Sequence, residues 1–232
     1  MQAVILAAGR GERMGKLTES TPKPLLEVAG KSLLEHKFDA LPKSIDEIIL
    51  VVGYLGSQIQ KRFGGEYKNK KILYVEQEPP HGTAGALWQT KELLKGRFIV
   101  MMGDDIYAAK DVVHGVEKKH GWWLGVSEVH EKRTGGSVCV DAKGHITAIE
   151  ENHAAGGKKG MIGTNLFAFD KRIFEAVLIP RSEGSEEYGL PQTALAASKQ
   201  LNIEFCAIPA TLWIQITVPH DLKKAEEMLA KM

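Results

Sequence analysis

A glycine-rich turn follows the first apolar run of the chain and carries the residues best suited to bind phosphate. Residues 6–16 read LAAGRGERMGK. A turn of this kind at the carboxyl end of a strand exposes backbone N–H groups, which hold phosphate without needing a net positive charge. Two standard templates do not fit: a Walker loop requires Gly in place of Arg10 and Ser or Thr in place of Leu17, and a dinucleotide fingerprint requires Gly in place of Met14.

One lysine lies between two prolines shortly after this turn, in the sequence Pro22-Lys23-Pro24. The prolines stiffen the backbone and keep Lys23 out of a helix. Most lysines in loops are solvated, and that interpretation stays open for Lys23. A lysine fixed in this way beside a phosphate-binding turn is also suited to neutralise phosphate charge.

Two adjacent carboxylates, Asp104 and Asp105, follow the apolar run IVMMG at residues 99–103. Carboxylates at the carboxyl end of a buried strand fall where ligands bind in open α/β sheets. Mg²⁺ is usually held by one or two carboxylates together with substrate phosphates. A strand-ending turn with two solvated acids fits the same residues equally well.

The elements that must position these residues alternate along the first half of the chain. Apolar runs without alternation predict parallel strands buried on both faces, at Ala3–Leu6, Glu47–Val52, Ile72–Glu76 and Phe98–Met102. Helical patterns lie between them, at Ser32–Leu41, Ser57–Phe63 and Ala84–Leu94. This order predicts a doubly wound α/β fold with right-handed crossovers.

From about Trp122 the pattern changes to successive strands, with Trp122 and Trp123 expected in the core. The strands predicted there are Trp123–Val129, Ser137–Val140, Ile146–Glu150, Leu166–Phe169 and Ile203–Ile208, with helices at Tyr188–Gln200 and Pro219–Lys231 and an exposed loop at Asn152–Gly160. We expect one α/β domain over residues 1–232, with a mostly parallel, mixed sheet. Its halves are residues 1–121 and 122–232.

Composition sets limits on partners and location. The chain has 232 residues, with 30 Lys and Arg against 29 Asp and Glu. This balance supplies no field to attract nucleic acid or an anionic membrane, so neither is expected as a partner. The sequence has no signal peptide and no apolar run of about 18 residues, so we expect a cytoplasmic protein. Cys139 and Cys206 lack a metal or redox spacing and are expected to be buried thiols.

In its opening motifs the sequence resembles the sugar-1-phosphate nucleotidyltransferases (NDP-sugar pyrophosphorylases). Their signature LAAGxGxR(M/L), followed by PKPL, is matched by residues 6–14 and 22–25. The resemblance implies a Rossmann-like nucleotidyltransferase domain, with residues 1–121 as the nucleotide-binding half and 122–232 as the sugar-binding half. It also implies that Arg13 contacts the outer phosphates of an NTP and that Lys23 bridges the α-phosphate and the sugar phosphate. The backbone of the turn would hold the triphosphate through Leu6, Ala8, Gly9 and Gly11.

The segment at residues 77–84, QEPPHGTA, resembles the base-reading element QxxxxGTA of the same family. The resemblance implies that Gln77, Gly82 and Thr83 read the nucleobase; Thr83 is also a plausible helix N-cap. A Gln amide matches the edge of uracil or thymine and, after rotation, that of guanine or cytosine. Guanylyl-transferring relatives usually lack this Gln, which favours UTP or dTTP.

The resemblance further implies that Asp104 ligates a catalytic Mg²⁺ and that Asp105 does not. Gln215 stands where relatives carry a second metal-binding aspartate; its amide oxygen is a possible ligand without the charge. Gly136, Glu151 and Thr164 resemble sugar-contacting positions. Two departures, Asn152 for the usual Lys and Gly163 for the usual Asn, leave the sugar unspecified.

The implied reaction is transfer of a nucleotidyl group from an NTP to a sugar 1-phosphate, with release of pyrophosphate. A cytidylyl- or guanylyltransferase acting on another phosphorylated alcohol, or on mannose 1-phosphate, is the nearest alternative. A non-catalytic nucleotide-sugar-binding module is the second, motivated by Gln215, Asn152 and Gly163. No hexapeptide repeat is present, so we expect the catalytic domain alone; its oligomeric state does not follow from the sequence.

Lys23→Ala tests the central residue of this hypothesis. We expect turnover to fall by orders of magnitude with an intact fold, because the variant loses the charge placed between the two reacting phosphates. Initial rates of pyrophosphate release and a circular-dichroism spectrum make the comparison. Turnover like that of the wild type would remove Lys23 from the mechanism.

Overall fold

The computed structural model describes residues 1–79, 81–129, 136–150 and 160–231. The strands are β1 (Gln2–Ala7), β2 (Glu27–Val28), β3 (Lys31–Ser32), β4 (Glu47–Val52), β5 (Glu66–Tyr67), β6 (Lys70–Glu76), β7 (Phe98–Met102), β8 (Asp105–Tyr107), β9 (Trp122–Val129), β10 (Ser137–Val140), β11 (Ile146–Glu150), β12 (Gly160–Phe169), β13 (Phe205–Pro209) and β14 (Trp213–Gln215). The helices are α1 (Leu33–Ala40), α2 (Gly56–Phe63), α3 (Gly82–Trp88), α4 (Ala109–Glu117), α5 (Leu190–Gln200) and α6 (Pro219–Leu229).

A mixed sheet runs through both halves of the chain, with strand order β11-β10-β12-β7-β1-β4-β6-β5; β9 pairs with β12 and with β13. The strands at its centre are parallel: β1 pairs in parallel with both β4 and β7, and β4 pairs in parallel with β6. The second half joins through β12, which lies antiparallel to β7. Because the central strands share one direction, their carboxyl ends meet at one edge of the sheet.

The central strands are buried on both faces, which explains why they are continuous apolar runs. Alternate residues of β1 belong to two cores: Ile5 packs on the face covered by α1 and α2, and Val4 on the face covered by α3 and α5. A third, smaller apolar cluster, which includes Met14 and Ile106, lies under the glycine-rich turn and joins it to β8, β14 and α6. The mixed α/β architecture with helices on both faces is confirmed.

Several predicted boundaries coincide with the structure: Glu47–Val52, Phe98–Met102, Ser137–Val140 and Ile146–Glu150 are strands with those limits. Trp122 and Trp123 are core residues, each 1% exposed. The strand predicted at Leu166–Phe169 starts earlier, at Gly160. Gly160 is therefore not part of a loop, and residues 152–159 of that predicted loop lie outside the described residues.

The helix predicted at Ala84–Leu94 was wrong at both ends, because it runs from Gly82 to Trp88. Beyond Trp88 the chain forms tight turns, in which both the backbone N–H and the hydroxyl of Thr90 donate to the Leu87 carbonyl. Thr83 is not the N-cap, since His81 occupies that position. The elements β8, α4 and β14 were not predicted at all.

Both cysteines are free, but the expectation of buried thiols was wrong for Cys139, which is exposed, while Cys206 is half-buried. Cys139 follows the buried Val138 on β10, so the alternation of a strand turns its side chain outward. Within the described ranges, every helix is too short or too polar to cross a bilayer.

Gly115→Ala tests the packing of α4 on the sheet. A Cβ added to Gly115 would lie 2.0 Å from Cζ2 of Trp123, whose Nε1 also donates to the Gly115 carbonyl at 2.9 Å. Gly to Ala inside a helix normally stabilises by about 1 kcal/mol, but overpacking of this kind costs roughly 1–3 kcal/mol. We expect a lower urea midpoint, and a smaller loss when the same change is made in a Trp123→Phe background. A higher midpoint for Gly115→Ala would contradict this packing.

Candidate active site

The glycine-rich turn after β1 is held at its base by the two neighbouring strands. Tyr54 N–H, after β4, donates to the Ala8 carbonyl at 3.2 Å, and Gly103 N–H, after β7, donates to the Leu6 carbonyl at 2.8 Å. The approach is so close that a Cβ on Gly53 would lie 2.9 Å from the Ala8 oxygen, and one on Gly103 2.9 Å from the Leu6 oxygen. Gly53 was not among the predicted site residues.

Within the turn, Gly9 is exposed and Gly11 adopts a left-handed backbone with φ 66°. Gly11 begins a 3₁₀ segment at residues 12–18, and its carbonyl accepts from the Thr18 hydroxyl at 3.0 Å. Arg13 lies exposed in the first turn of that segment. A Cβ on Gly11 would lie 3.0 Å from Cβ of Lys23, so the turn packs directly on the lysine.

The structure brings together Lys23 and Asp104, which are 81 residues apart in sequence. Lys23 Nζ donates to Asp104 Oδ2 at 2.6 Å, and the side chains are 8% and 37% exposed. The interpretation of Lys23 as a solvated loop lysine is therefore wrong. Asp104 follows β7, so this ion pair lies at the carboxyl edge of the sheet beside the turn.

Asp105 points away from solvent and is 3% exposed. Its Oδ2 accepts from Trp213 Nε1 at 3.0 Å, and its backbone carbonyl accepts from Nζ of Lys37, a residue of α1. Burial raises the pKa of the Asp105 carboxyl, and the charge of Asp104 raises it further. Burial lowers the pKa of Lys37, against the attraction of both carboxylates. The interpretation of two solvated acids is therefore wrong for Asp105.

Gln215 lies on β14, where it pairs in the antiparallel β8–β14 ribbon with Asp105, the residue that follows Asp104 in the chain. A partly exposed carboxylate and an amide oxygen from neighbouring segments are donors of the kind that suits Mg²⁺, provided that phosphates and water complete the shell. Among the described residues, no group of three or more His, Cys, Asp or Glu side chains could hold a metal alone. These residues therefore fit a cation that is shared with a phosphate ligand.

The residues expected to read the base follow β6, at the same edge of the sheet. Gln77 is 7% exposed and its Nε2 donates to the Gly82 carbonyl at 3.1 Å. Gly82 has φ +77°, and a Cβ there would lie 2.5 Å from the Tyr188 carbonyl oxygen. The Thr83 hydroxyl accepts from Leu190 N–H at 2.9 Å. The segment before α5, which carries none of the residues predicted to read the base, thus packs on this element.

The three residues expected to contact the sugar differ in their location and exposure. Gly136 precedes β10, and its carbonyl accepts from Gly163 N–H at 3.2 Å. Thr164 is 0% exposed and its hydroxyl donates to the Gly125 carbonyl at 3.0 Å. Thr164 therefore presents no surface to a sugar in this structure, which corrects the expectation for its side chain. Glu151 lies outside the described residues.

Two further side chains fasten the loop that carries Lys23, and no pattern in the sequence pointed to them. The Tyr54 hydroxyl donates to the Glu19 carbonyl at 3.0 Å, and Gln58 Nε2 donates to the Ser20 carbonyl at 2.9 Å. The guanidinium of Arg10 lies 5.1 Å from the centre of the Tyr54 ring. Because the acceptors are backbone carbonyls, no particular residue type marks them in the sequence.

A family model described as "Nucleotidyl transferase" matches residues 2–229. The chain therefore belongs to the nucleotidyl transferase family. Of the curated relatives, "Bifunctional protein GlmU" of Methanocaldococcus jannaschii is 33% identical over 231 residues, covering 99% of this chain and 54% of that protein. The chain thus spans about half the length of the first curated relatives it matches.

A relative of similar length is named "UTP--glucose-1-phosphate uridylyltransferase AglF", from Haloferax volcanii. It is 32% identical over 237 residues, covering 99% of this chain and 96% of that protein. Among solved structures, the inositol-1-phosphate CTP transferase from T. maritima superposes with a TM-score of 0.76 at 21% identity, over 99% of this chain and 95% of the other. At that identity the likeness establishes the fold alone.

Gly9→Ala tests whether a ligand passes over the turn. A Cβ on Gly9 would have no heavy atom within 4 Å, and its φ lies outside the left-handed region, so we expect unchanged stability. If a triphosphate lies there, we expect the added methyl to cost roughly 1–3 kcal/mol of binding free energy, so that the nucleotide KM rises at least about fivefold. Gly65→Ala is the matched control, since its Cβ also enters open space, beside the start of β6. An unchanged KM in Gly9→Ala would place the triphosphate elsewhere.

Proposed function

We propose that this chain transfers a nucleotidyl group from an NTP to a sugar 1-phosphate and releases pyrophosphate. The observation that carries the proposal is the ion pair of Lys23 and Asp104, set against the glycine-rich turn at the carboxyl edge of the sheet. Membership of the nucleotidyl transferase family supports it. So does the likeness to a relative of similar length that is named a uridylyltransferase.

In the proposed reaction, an oxygen of the sugar phosphate attacks the α-phosphorus of the NTP in line. A new P–O bond forms there while the bond to the bridging oxygen of the β-phosphate breaks, and pyrophosphate leaves with that electron pair. No protein nucleophile is needed, so positioning and charge stabilisation supply most of the catalysis. The backbone of the turn and Arg13 would hold the leaving phosphates.

Lys23 would stabilise the charge that the two reacting phosphates share. Its side chain is almost fully buried, and a charge in a poorly solvated place acts more strongly on a nearby phosphate than one in water. Packing against Gly11 and the bond to Asp104 fix its position before a substrate arrives. Asp104 and Gln215 would hold Mg²⁺, which when bound neutralises phosphate charge and orients the α-phosphate.

For the nucleobase we propose uracil or thymine, read by Gln77 with Gly82 and Thr83. The Gln77 amide donates one N–H to Gly82, which leaves one N–H donor and the carbonyl oxygen for a ligand. That pair complements the N–H and carbonyl edge of uracil or thymine. The same pair also complements an edge of guanine, so a guanylyl- or cytidylyltransferase remains the alternative reaction.

For the sugar we propose contacts from the backbone of Gly136 and from Glu151, with the Thr164 side chain held in the interior. A different function is a module that binds a nucleotide sugar without turnover. Gln215 favours it, because an uncharged amide where relatives have a carboxylate weakens the attraction for Mg²⁺.

Pyrophosphate release measured across a panel of substrates tests these functions together. The panel combines ATP, GTP, CTP, UTP and dTTP with hexose 1-phosphates, mannose 1-phosphate and phosphocholine, each with Mg²⁺. We expect the fastest release with UTP or dTTP and a hexose 1-phosphate, and none after addition of EDTA. Release only with CTP or GTP would select the alternative reaction. Binding of an NDP-sugar with no release from any pair would select the binding module and contradict the proposal.

A further inference from the structure

Lys37 is a fully buried lysine to which the reaction described above assigns no role. It lies on α1 with 1% of its surface exposed, between the core residues Leu33, Leu34 and Phe38. Lysines are almost never fully buried unless the ammonium is paired, because desolvating a charge is costly. Its position on the apolar face of a core helix therefore requires a compensating interaction.

The ammonium of Lys37 makes two hydrogen bonds that connect α1 to the loop edge of the sheet. Nζ donates to the Leu33 carbonyl one turn earlier in the helix, at 3.0 Å, and to the backbone carbonyl of Asp105 at the start of β8. The charged groups around it are the carboxylates of Asp104 and Asp105 and the ammonium of Lys23. Lys37 thus contacts the backbone directly behind the residue that would hold the metal.

Asp105 is fixed on both sides by these contacts. Lys37 holds its backbone carbonyl, and Trp213 of β14 holds its carboxylate with a 3.0 Å hydrogen bond. Asp104, the preceding residue, is half-exposed and has Lys23 as its hydrogen-bond partner. The direction in which Asp104 presents its carboxylate therefore depends on how the Asp105 backbone is held.

We propose that Lys37 is a positioning residue, whose buried ammonium holds the Asp105 carbonyl so that Asp104 presents its carboxylate to a cation bound with the triphosphate. The inference rests on the proposed function, since it assigns Lys37 to that site. Groups that orient a metal ligand in this way typically contribute about 10–100-fold in metal affinity or activity.

The chain contains a matched control for a purely structural role. Lys70, 9% exposed, also donates from a buried ammonium to two backbone carbonyls, those of Pro42 at 2.8 Å and Ile45 at 2.7 Å. It begins β6 and therefore lies at the opposite edge of the sheet from Asp104. Lys70→Met removes the same kind of interaction without touching the site.

The experiment compares Lys37→Met with Lys70→Met in the full chain. The readouts are kcat, the Mg²⁺ concentration for half-maximal rate, and the binding of Mn²⁺ measured by electron paramagnetic resonance. The Mn²⁺ measurement is made in the presence of the triphosphate that is accepted best in the panel. If no triphosphate is turned over, UTP is used. We expect Lys37→Met to lower kcat and to weaken Mn²⁺ binding by about 10–100-fold. Lys70→Met should lose stability and keep both values. Equal metal parameters in the two variants would overturn the assignment.

A double variant covers the case in which Lys37→Met does not fold because Asp105 is left as an unpaired buried charge. Lys37→Met/Asp105→Asn removes both charges, a change that often restores stability, and the amide oxygen of the new side chain would still accept from Trp213. If Lys37 acts through the Asp105 carbonyl, the double variant folds and still binds Mn²⁺ poorly. Metal binding like that of the wild type would show that Lys37 only balances charge. Mn²⁺ binding needs no turnover, so it decides the role of Lys37 even if the wild type releases no pyrophosphate.

Discussion

The ion pair between Lys23 and Asp104 is the contact on which the geometry of this site depends. A nearly buried ammonium must be paired, and its carboxylate comes from a segment 81 residues later in the chain. The pairing is possible because β1 lies between β4 and β7, so that the turn after β1 and the acids after β7 emerge side by side. Gly53 and Gly103 allow the approach, since any side chain there would collide with the turn.

Positive and negative charges nearly cancel at the carboxyl edge of the sheet, and they nearly cancel over the whole chain. Lys23 and Lys37 face Asp104 and Asp105, and the formal net charge of the protein is +1. A protein with so little net charge exerts little long-range attraction on an anion. Recognition of a triphosphate would therefore depend on short-range contacts, from backbone N–H groups and a few fixed cations, rather than on a basic surface.

The sequence predicted the strands whose pattern follows directly from burial. It missed the nine-residue helix α4, the shortest strands and the side chains that bond to backbone carbonyls. Glu47–Val52 and Phe98–Met102 were located to the residue because strands covered on both faces must be apolar throughout. The strands β8 and β14 are three residues long and carry no periodicity. Tyr54 and Lys37 donate to backbone carbonyls, and these contacts leave no mark in the sequence because every residue has a carbonyl. The one sequence feature that pointed to such a contact was a charged residue, Lys37, on an apolar helix face.

The uncharged amide of Gln215 is easier to understand beside this ion pair. The two residues proposed to hold the cation, Asp104 and Gln215, bring one negative charge, and Lys23 already bonds to one oxygen of that carboxylate. Such a pair holds a divalent ion weakly by itself, whereas a triphosphate carries several charges and hard oxygen donors of its own. Without a ligand, the position of the Asp104 carboxylate is therefore set by its bond to Lys23. A cation that arrives with the nucleotide would need from the protein only a carboxylate held in the right direction, which is the role we propose for the contacts behind Asp105.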